Sequence, residues 1–328
     1  MWKSVYYEAQ GRSHVAADIP CQDKTLSISK NGVDVIALAD GAGSAKWSHF
    51  GAETVIQAAA DYMCEHFASL SDNPDGRKVK LELLEQLTGR LGEKRDQLQC
   101  EMRDLASTLL IVAVRDSTFI MVHIGDGVIG YIKDDELKVA SSPENGEFAN
   151  TTTFVTSSDA AASMRLFKGN VERIAGFVLM SDGTAESLYH KQTRQLVPAL
   201  RKIMHRNSII AQDRMLALIK ESFHNVIVPN TQDDCSIAIM SRNIGGFSDY
   251  ESLSASQKCE LLQIEPTSRS AAKRVKRYDM MLGELREPRT AQDMCRLLRL
   301  KPRYTSRHLN RLLEAGLIVR TNDGYRNV

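Results

Sequence analysis

The sequence predicts an α+β protein in which layered sheets are flanked by helices, followed by a small helical module. Three observations predict it. Short, continuous apolar runs end in carboxylates at residues 35–40 and 177–182, and a third run, 235–240, begins just after Asp233 and Asp234. Two stretches between these runs, 51–103 and 195–223, carry apolar residues at helical spacing. Beyond Asn243-Ile244-Gly245-Gly246 the charge changes sign: residues 243–328 hold 16 Lys+Arg against 10 Asp+Glu, and the preceding residues are net acidic.

Residues 4–9 read as an edge strand and 11–23 as an irregular loop. A strand over 25–29 meets Asn31-Gly32, a two-residue hairpin signal. It leads into the run 35–39, which is long and apolar enough to be buried on both faces. Asp40 stands where that strand leaves the core, and Gly41 and Gly43 allow a tight turn close to whatever the carboxylate binds. Helical spacing over 51–63 is broken by Asp72-Asn73-Pro74-Asp75-Gly76 and resumes over 78–103. Strands follow at 106–114, 117–124 and 128–132, the last two joined at Gly125-Asp126-Gly127. Residues 141–170, rich in Ser, Thr and Asn, read as a loop or flap. The run 174–180 is a buried strand, 185–190 and 195–223 read as helical, and 233–240 closes the sheet.

Residues 243–264 read as a linker. A basic amphipathic helix is predicted over 268–285, with Thr290 capping a helix over 291–300 and Thr305 or Ser306 capping one that ends at Glu314. After Gly316, residues 317–320 turn through Asn322-Asp323-Gly324 into Tyr325. Helix, turn, helix and hairpin is the order of a winged helix-turn-helix, here spanning 265–328. Arg303, Arg307 and Arg311, with Arg296, Arg299 and Lys301, gather where such a module meets phosphates and the major groove. Winged helices also dock proteins, and the local excess of about six positive charges is modest for a DNA reader, so DNA and protein partners both stay open.

The 328 residues suggest one large or two smaller domains, and a net charge of +1 gives the whole chain no general pull toward nucleic acid or membrane. The six cysteines form no CxxC pair and no Cys/His zinc spacing, which points to reduced thiols in a cytoplasmic setting. Neither a secretory leader pattern nor an apolar run of about 18 residues is present, so no membrane association is expected.

Carboxylates at the ends of strands favour hard divalent cations such as Mg²⁺ and Mn²⁺. Two such ions about 4 Å apart can activate a bridging water near neutral pH and clamp a phosphoryl oxygen for in-line attack. Asp126-Gly127 taken alone reads as an ordinary hairpin turn. His123, in an apolar strand, reads as a core histidine with satisfied hydrogen bonds.

The ordered set Gln22-Asp23, Asp40-Gly41-Ala42-Gly43, Ala106-Ser107-Thr108, Gly125-Asp126-Gly127, Ser181-Asp182-Gly183 and Asp233-Asp234-Cys235-Ser236 resembles the metal-dependent (PPM-type, type 2C) Ser/Thr protein phosphatases, in a divergent bacterial branch. The resemblance covers roughly residues 4–241. It implies a four-layer α-β-β-α sandwich over 1–242 and two, with a weaker third, Mn²⁺ or Mg²⁺ ions. By position, Asp40, Gly41, Asp182 and Asp233 would be the core ligands, and the three aspartates the catalytic set. Asp23 would be an outer or water-mediated ligand, and Asp126 with Asp182 would hold the third ion. The implied reaction is single-step hydrolysis of phosphoserine or phosphothreonine by a hydroxide bridging two ions. A phosphoprotein is the implied substrate, with a Ser/Thr kinase or its targets as further partners.

Departures from the family pattern are Gln22 for Glu, Asp18 for the phosphate-gripping Arg, Ala42 for the His proposed as general acid, Ser44 for Gly and Asp234 for Asn. Arg12 or His14 are candidates for the phosphate grip and His49 for the acid. These losses also admit a second reading, a weakly active or inactive regulator that senses a phosphoprotein and acts through its C-terminal module.

Overall fold

The computed structural model of the chain describes residues 1–143, 152–244 and 247–328. Residues 144–151 of the expected flap, and Gly245 and Gly246 of the expected linker, lie outside the described residues. The chain divides into two compact units, one of residues 2–207 and 212–242, the other of residues 1, 208–211 and 243–328.

The larger unit begins with β1 (Trp2–Ala9), α1 (Arg12–Ala16), β2 (Lys24–Lys30) and β3 (Val33–Ala39). Two long helices follow, α2 (Ser48–Asp72) and α3 (Gly76–Leu98), then β4 (Leu109–Arg115), β5 (Thr118–Ile124), β6 (Val128–Lys133) and β7 (Glu136–Ser141). After the short α4 (Ala160–Ser163) come β8 (Arg165–Asn170), β9 (Ile174–Met180), α5 (Asp182–Leu188) and the paired β10 (Tyr189–His190) and β11 (Gln195–Leu196). The unit closes with α6 (Ala199–Ile209), α7 (Gln212–Ser222) and β12 (Cys235–Arg242).

Two five-stranded antiparallel sheets result, in the orders β1-β12-β9-β6-β7 and β2-β3-β4-β5-β8. Side-chain alternation then assigns the faces. Val33, Val35, Ala37 and Ala39 of β3 join Leu109, Ile111 and Ala113 of β4 against Val55, Met63, Leu83 and Leu87 of α2 and α3. The intervening Ile36, Leu38, Leu110 and Val112 meet Ile129, Phe177, Leu179 and Met240 of the other sheet. The run 35–39 is therefore buried on both faces because helices cover one and a second sheet covers the other. On the outer side of that second sheet α7 packs on β1, and Tyr7 meets Phe223 edge-on with ring centroids 5.3 Å apart. Asn31 and Gly32 both take positive φ, 56° and 75°, in the β2–β3 hairpin, as a tight primed turn requires.

Several elements differ from the sequence expectation. The loop expected over 141–170 contains β8, an edge strand whose residues are all partly exposed but for the fully exposed Asn170, so no apolar alternation marks it. The loop over 11–23 contains one helical turn, α1, and the helix expected over 195–223 is split into α6 and α7 after the short β11. β5 and β6 are not a hairpin, since they belong to different sheets.

In the smaller unit the expected linker is largely helical, with α8 (Phe247–Ser252) and α9 (Ala255–Leu261). The second of these carries a capping box between Ser254 and Gln257 that supplies its start signal. α10 (Ala271–Glu284), α11 (Ala291–Leu298) and α12 (Pro302–Glu314) precede a hairpin of β13 (Ile318–Thr321) and β14 (Gly324–Asn327). α12 starts at Pro302, three residues before the expected cap at Thr305, because proline suits the first helical turn and Thr305 is buried. Tyr250, Leu262, Tyr278, Met281, Leu285, Met294, Leu309 and Leu317 form its core, whereas Met280 is exposed. Arg289 pairs with Tyr325 beside the hairpin through backbone hydrogen bonds of 3.0 and 2.8 Å.

Candidate metal centre

The carboxylates gather because each stands just beyond one end of a strand. Asp40 follows β3, and its N–H donates to Thr108 Oγ1 while its carbonyl accepts from the Thr108 N–H, both at 2.8 Å. That exchange pins the end of β3 to the residues entering β4. Asp182 opens α5, separated from β9 by Ser181 alone, and Asp233 precedes β12; the pairing of Ile237 with Met180 sets these two chain ends side by side. Asp126 lies between β5 and β6, where the chain passes from one sheet to the other. Gly125 makes this passage in a conformation, φ 110°, that favours glycine, and a Cβ there would fall 2.4 Å from Thr108 Cγ2. At Gly183 a Cβ would fall 2.2 Å from the Asp234 carbonyl oxygen, so the turn after Asp182 closes onto the Asp233-Asp234 segment only with glycine.

Asp40, Gly41, Asp126, Asp182 and Asp233 line one open cavity of about 310 Å³, together with His14, Thr108, Thr152 and Phe154. Burial raises the Asp40 carboxyl well above the usual carboxylate range, and the charges of Asp23, Asp182, Asp126 and Asp233 raise it further. Asp182 is raised by burial and then by Asp126 and Asp233. Asp23 is fully buried and not among the cavity-lining residues. Burial raises it too, and although the Ser181 and Ser236 hydroxyls favour its ionised form, neither reaches hydrogen-bond geometry, so both carboxylate oxygens lack a donor.

Such a set is unstable as bare anions and suits a divalent cation, whose charge removes the mutual repulsion and whose shell accepts hard oxygens. Among the described residues no three His, Cys, Asp or Glu side chains converge on a single point. The carboxylates ring the cavity instead, an arrangement for ions that take one or two carboxylates each and complete their shells with water, as Mg²⁺ does. On these grounds the residues present fit the group.

Neighbouring aspartates have divided their tasks. Asp233 faces the cavity. Asp234 is 2% exposed and accepts the Gly11 N–H at 2.6 Å and the Gln22 N–H at 2.5 Å, one on each oxygen. His14 Nδ1 lies 3.0 Å from Asp234 Oδ2. Asp234 thereby holds the segment before Asp23 and sets a negative charge beside His14, whose Nδ1 makes no hydrogen bond among the described residues, roles that the doublet in the sequence does not reveal. Thr152 Oγ1 donates to Asp126 Oδ2 at 2.6 Å and Phe154 closes part of the wall, two further residues without a sequence signal.

Two candidates stand elsewhere. Arg12 is exposed, donates from Nε to the Thr231 carbonyl at 3.0 Å and does not line the cavity. His49 stacks on Phe50 at 4.2 Å in the first turn of α2, away from the cavity lining. Burial and then Lys24 lower its pKa. His123 is a buried core histidine, 2.8 Å from Ser141 Oγ and 3.0 Å from the Gly125 carbonyl. In the smaller unit Arg303 and Arg307 are exposed, whereas Arg311 is half-buried and donates to the Gln263 carbonyl at 3.4 Å.

A family model described as Protein phosphatase 2C matches residues 10–219. Serine/threonine-protein phosphatase 3 of Escherichia coli (strain K12) is 30% identical in an alignment of 190 residues that covers 54% of this chain and 72% of that protein. Among solved structures, the S. agalactiae serine/threonine phosphatase aligns with a TM-score of 0.51 at 15% identity, covering 74% of this chain and 99% of its own. The catalytic domain of the serine/threonine protein phosphatase PstP, in complex with two manganese ions, aligns with a TM-score of 0.51 at 15% identity, covering 73% and 97%. At those identities the two structures speak for the fold, and the match over well over half of the sequence speaks for descent. The chain belongs to the protein phosphatase 2C family of serine/threonine phosphatases.

Proposed function

We propose that the cavity hydrolyses phosphoserine and phosphothreonine on proteins with two Mn²⁺ or Mg²⁺ ions. Asp40, the Gly41 carbonyl, Asp182 and Asp233 would hold them, and Asp126 with Asp182 a third. The observation that carries this reading is the convergence of four aspartates from both sheets on one cavity. When bound, the ions would supply an activated water and charge neutralisation for the phosphoryl oxygens, allowing a single in-line displacement. Asp23, behind the lining, has its carboxyl pushed up to about 8 by burial and would add negative charge once a nearby cation favours its ionised form. The Thr108 hydroxyl and amide hold Asp40 in place, and Thr152 orients Asp126.

His14 is the one lining residue that can carry positive charge among the described residues. Asp234 lies 3.0 Å from its Nδ1 without hydrogen-bond geometry and sets a negative charge beside the ring, so the imidazole would contact a phosphate oxygen or protonate the departing serine or threonine alkoxide. We assign it that role in place of Arg12 and His49. Residues 1–242 would be the phosphatase domain and 265–328 the core of a second module, into which 243–264 packs through Tyr250 and Leu262 instead of serving as a free connector. A Ser/Thr kinase must supply the substrate, since the reaction consumes a phosphomonoester on protein. No helix among the described residues is long and apolar enough to cross a membrane, and all six cysteines are free, which supports a cytoplasmic setting.

Hydrolysis of a phosphothreonine peptide with Mn²⁺ tests the proposal. Turnover should vanish with chelator and in Asp40→Asn, and His14→Ala should lower it by about 10²-fold or more. Because no Arg or Lys lines the cavity among the described residues, a second reading keeps the cations without efficient turnover, as a phosphoprotein sensor. Calorimetric Mn²⁺ binding without hydrolysis would select it.

A further inference from the structure

The smaller unit carries a basic face whose cations are mostly unpaired among the described residues. Three residues, Arg299, Leu300 and Lys301, join α11 to α12, and Arg299 takes the left-handed conformation, φ 51°, that turns the second helix sharply from the first. Thr305, Leu309 and Leu312 bury one stripe of α12. On the opposite side Arg303, Tyr304, Ser306, Arg307 and Asn310 are all exposed. None of these five is aliphatic, each can hydrogen-bond to a phosphate or a base edge, and exposed Glu314 at the C-terminal end is the one acidic residue on the same stripe. The side chains of Arg299, Lys301, Arg303 and Arg307 form no hydrogen bond or ion pair among the described residues. In the hairpin Arg326 is exposed, whereas Arg320 is held by the Tyr325 hydroxyl at 2.8 Å.

We propose that this face binds duplex DNA, with α12 entering the major groove and the β13–β14 hairpin beside the backbone. Charge complementarity selects a polyanion, because unpaired cations gain by releasing the counterions condensed on phosphates. A protein interface would need buried apolar or aromatic anchors, and on this stripe Tyr304 is the one aromatic residue. The B-DNA major groove admits a helix, whereas that of A-form RNA is too narrow. Arg and Asn on the exposed stripe are also the residue types that pair with guanine and adenine edges. This inference does not depend on the phosphatase reading, since every residue it uses lies between 289 and 328.

The test uses the full 328-residue chain and a fluorescein-labelled, mixed-sequence 24-base-pair DNA duplex, followed by anisotropy as salt is raised. At 50 mM salt the expected Kd is about 10 μM or below, and four neutralised phosphates predict a log K against log salt slope of about −3.6. Arg303→Gln with Arg307→Gln should weaken binding at least about tenfold and flatten the slope by about 2. Both side chains are exposed, so the melting temperature should not change, which separates lost contact from lost fold. Absence of duplex binding at 50 mM salt, or binding and slope unchanged in the double variant, overturns the proposal. Equal binding of an RNA duplex of the same sequence also overturns it, since that outcome assigns the face to generic polyanion capture.

Discussion

Asp233 and Asp234 are adjacent, yet conversion to asparagine should move the protein in opposite directions. Asp234 is buried and gives one oxygen to the Gly11 N–H and the other to the Gln22 N–H. Asparagine keeps one acceptor and turns an NH₂ toward the second amide. That change removes a charge-assisted hydrogen bond, about 1.5–3 kcal/mol, and leaves opposed buried donors at about 1–3 kcal/mol more. The total, roughly 2.5–6 kcal/mol, corresponds to a melting temperature lower by on the order of 10 °C for a domain of this size. Asp233 instead faces the cavity and, among the described residues, its side chain accepts a hydrogen bond only from the next residue's N–H at 2.8 Å, which asparagine can also accept. Its charge helps to raise both Asp40 and Asp182. Removing it should leave the cation-free melting temperature equal or higher while weakening Mn²⁺ binding. Calorimetric melts of both variants, in chelator and again in Mn²⁺, read the two effects separately. An Asp234→Asn melt within about 2 °C of wild type would refute the assignment of the buried clamp to that residue.

Two other perturbations follow from the same geometry. Gly125→Ala forces a Cβ into the Thr108 side chain in a region of positive φ, and denaturant titration should show a loss of about 2–4 kcal/mol together with weaker Mn²⁺ binding; a loss below about 1 kcal/mol would show that the passage between sheets relaxes freely. His123 has its pKa pushed down from 6.5 to about 3 by burial and then by Arg165. Its neutral form is therefore the native one, and the stability it confers is complete above pH 6.5 and declines as pH falls toward 3. The decline is about 1.4 kcal/mol per pH unit. Between pH 6.5 and 5 the wild type should lose about 2 kcal/mol more than His123→Gln, and parallel pH profiles for the two proteins would contradict this.

What the sequence disclosed was governed by burial on two faces. The strand β3 is a continuous apolar run because sheet and helices cover it on either side, and Asp40 is conspicuous because it interrupts such a run. The same holds for β9 and Asp182. Elements with one partly exposed face were harder to see: β8 spells Arg-Leu-Phe-Lys-Gly-Asn, with neither alternation nor an apolar block. Division of labour within Asp233-Asp234 depends on strand register and on the distant Gly11 and Gln22 amides, and local sequence carries neither. Similarly, Arg12 and His14 are two residues apart on one helical turn, and only the fold decides which of them reaches the cavity. Lys301-Pro302 and Ser254-Gln257 are different cases: both helix starts were written in the chain as a proline at the first position and a capping box.

The passage of Gly125-Asp126-Gly127 from one sheet to the other has a mechanical consequence. Asp40 hangs from the sheet that contains β3, Asp182 and Asp233 from the sheet that contains β9 and β12, and Asp126 from both. A cation shared by these groups would act as a rivet across the seam of the sandwich, at the end where the carboxylates otherwise push the two halves apart. Ambient cation concentration would then set the rigidity of the protein as well as its chemistry. The stabilisation would grow as the logarithm of free ion over its dissociation constant, about 2.7 kcal/mol at a hundredfold excess.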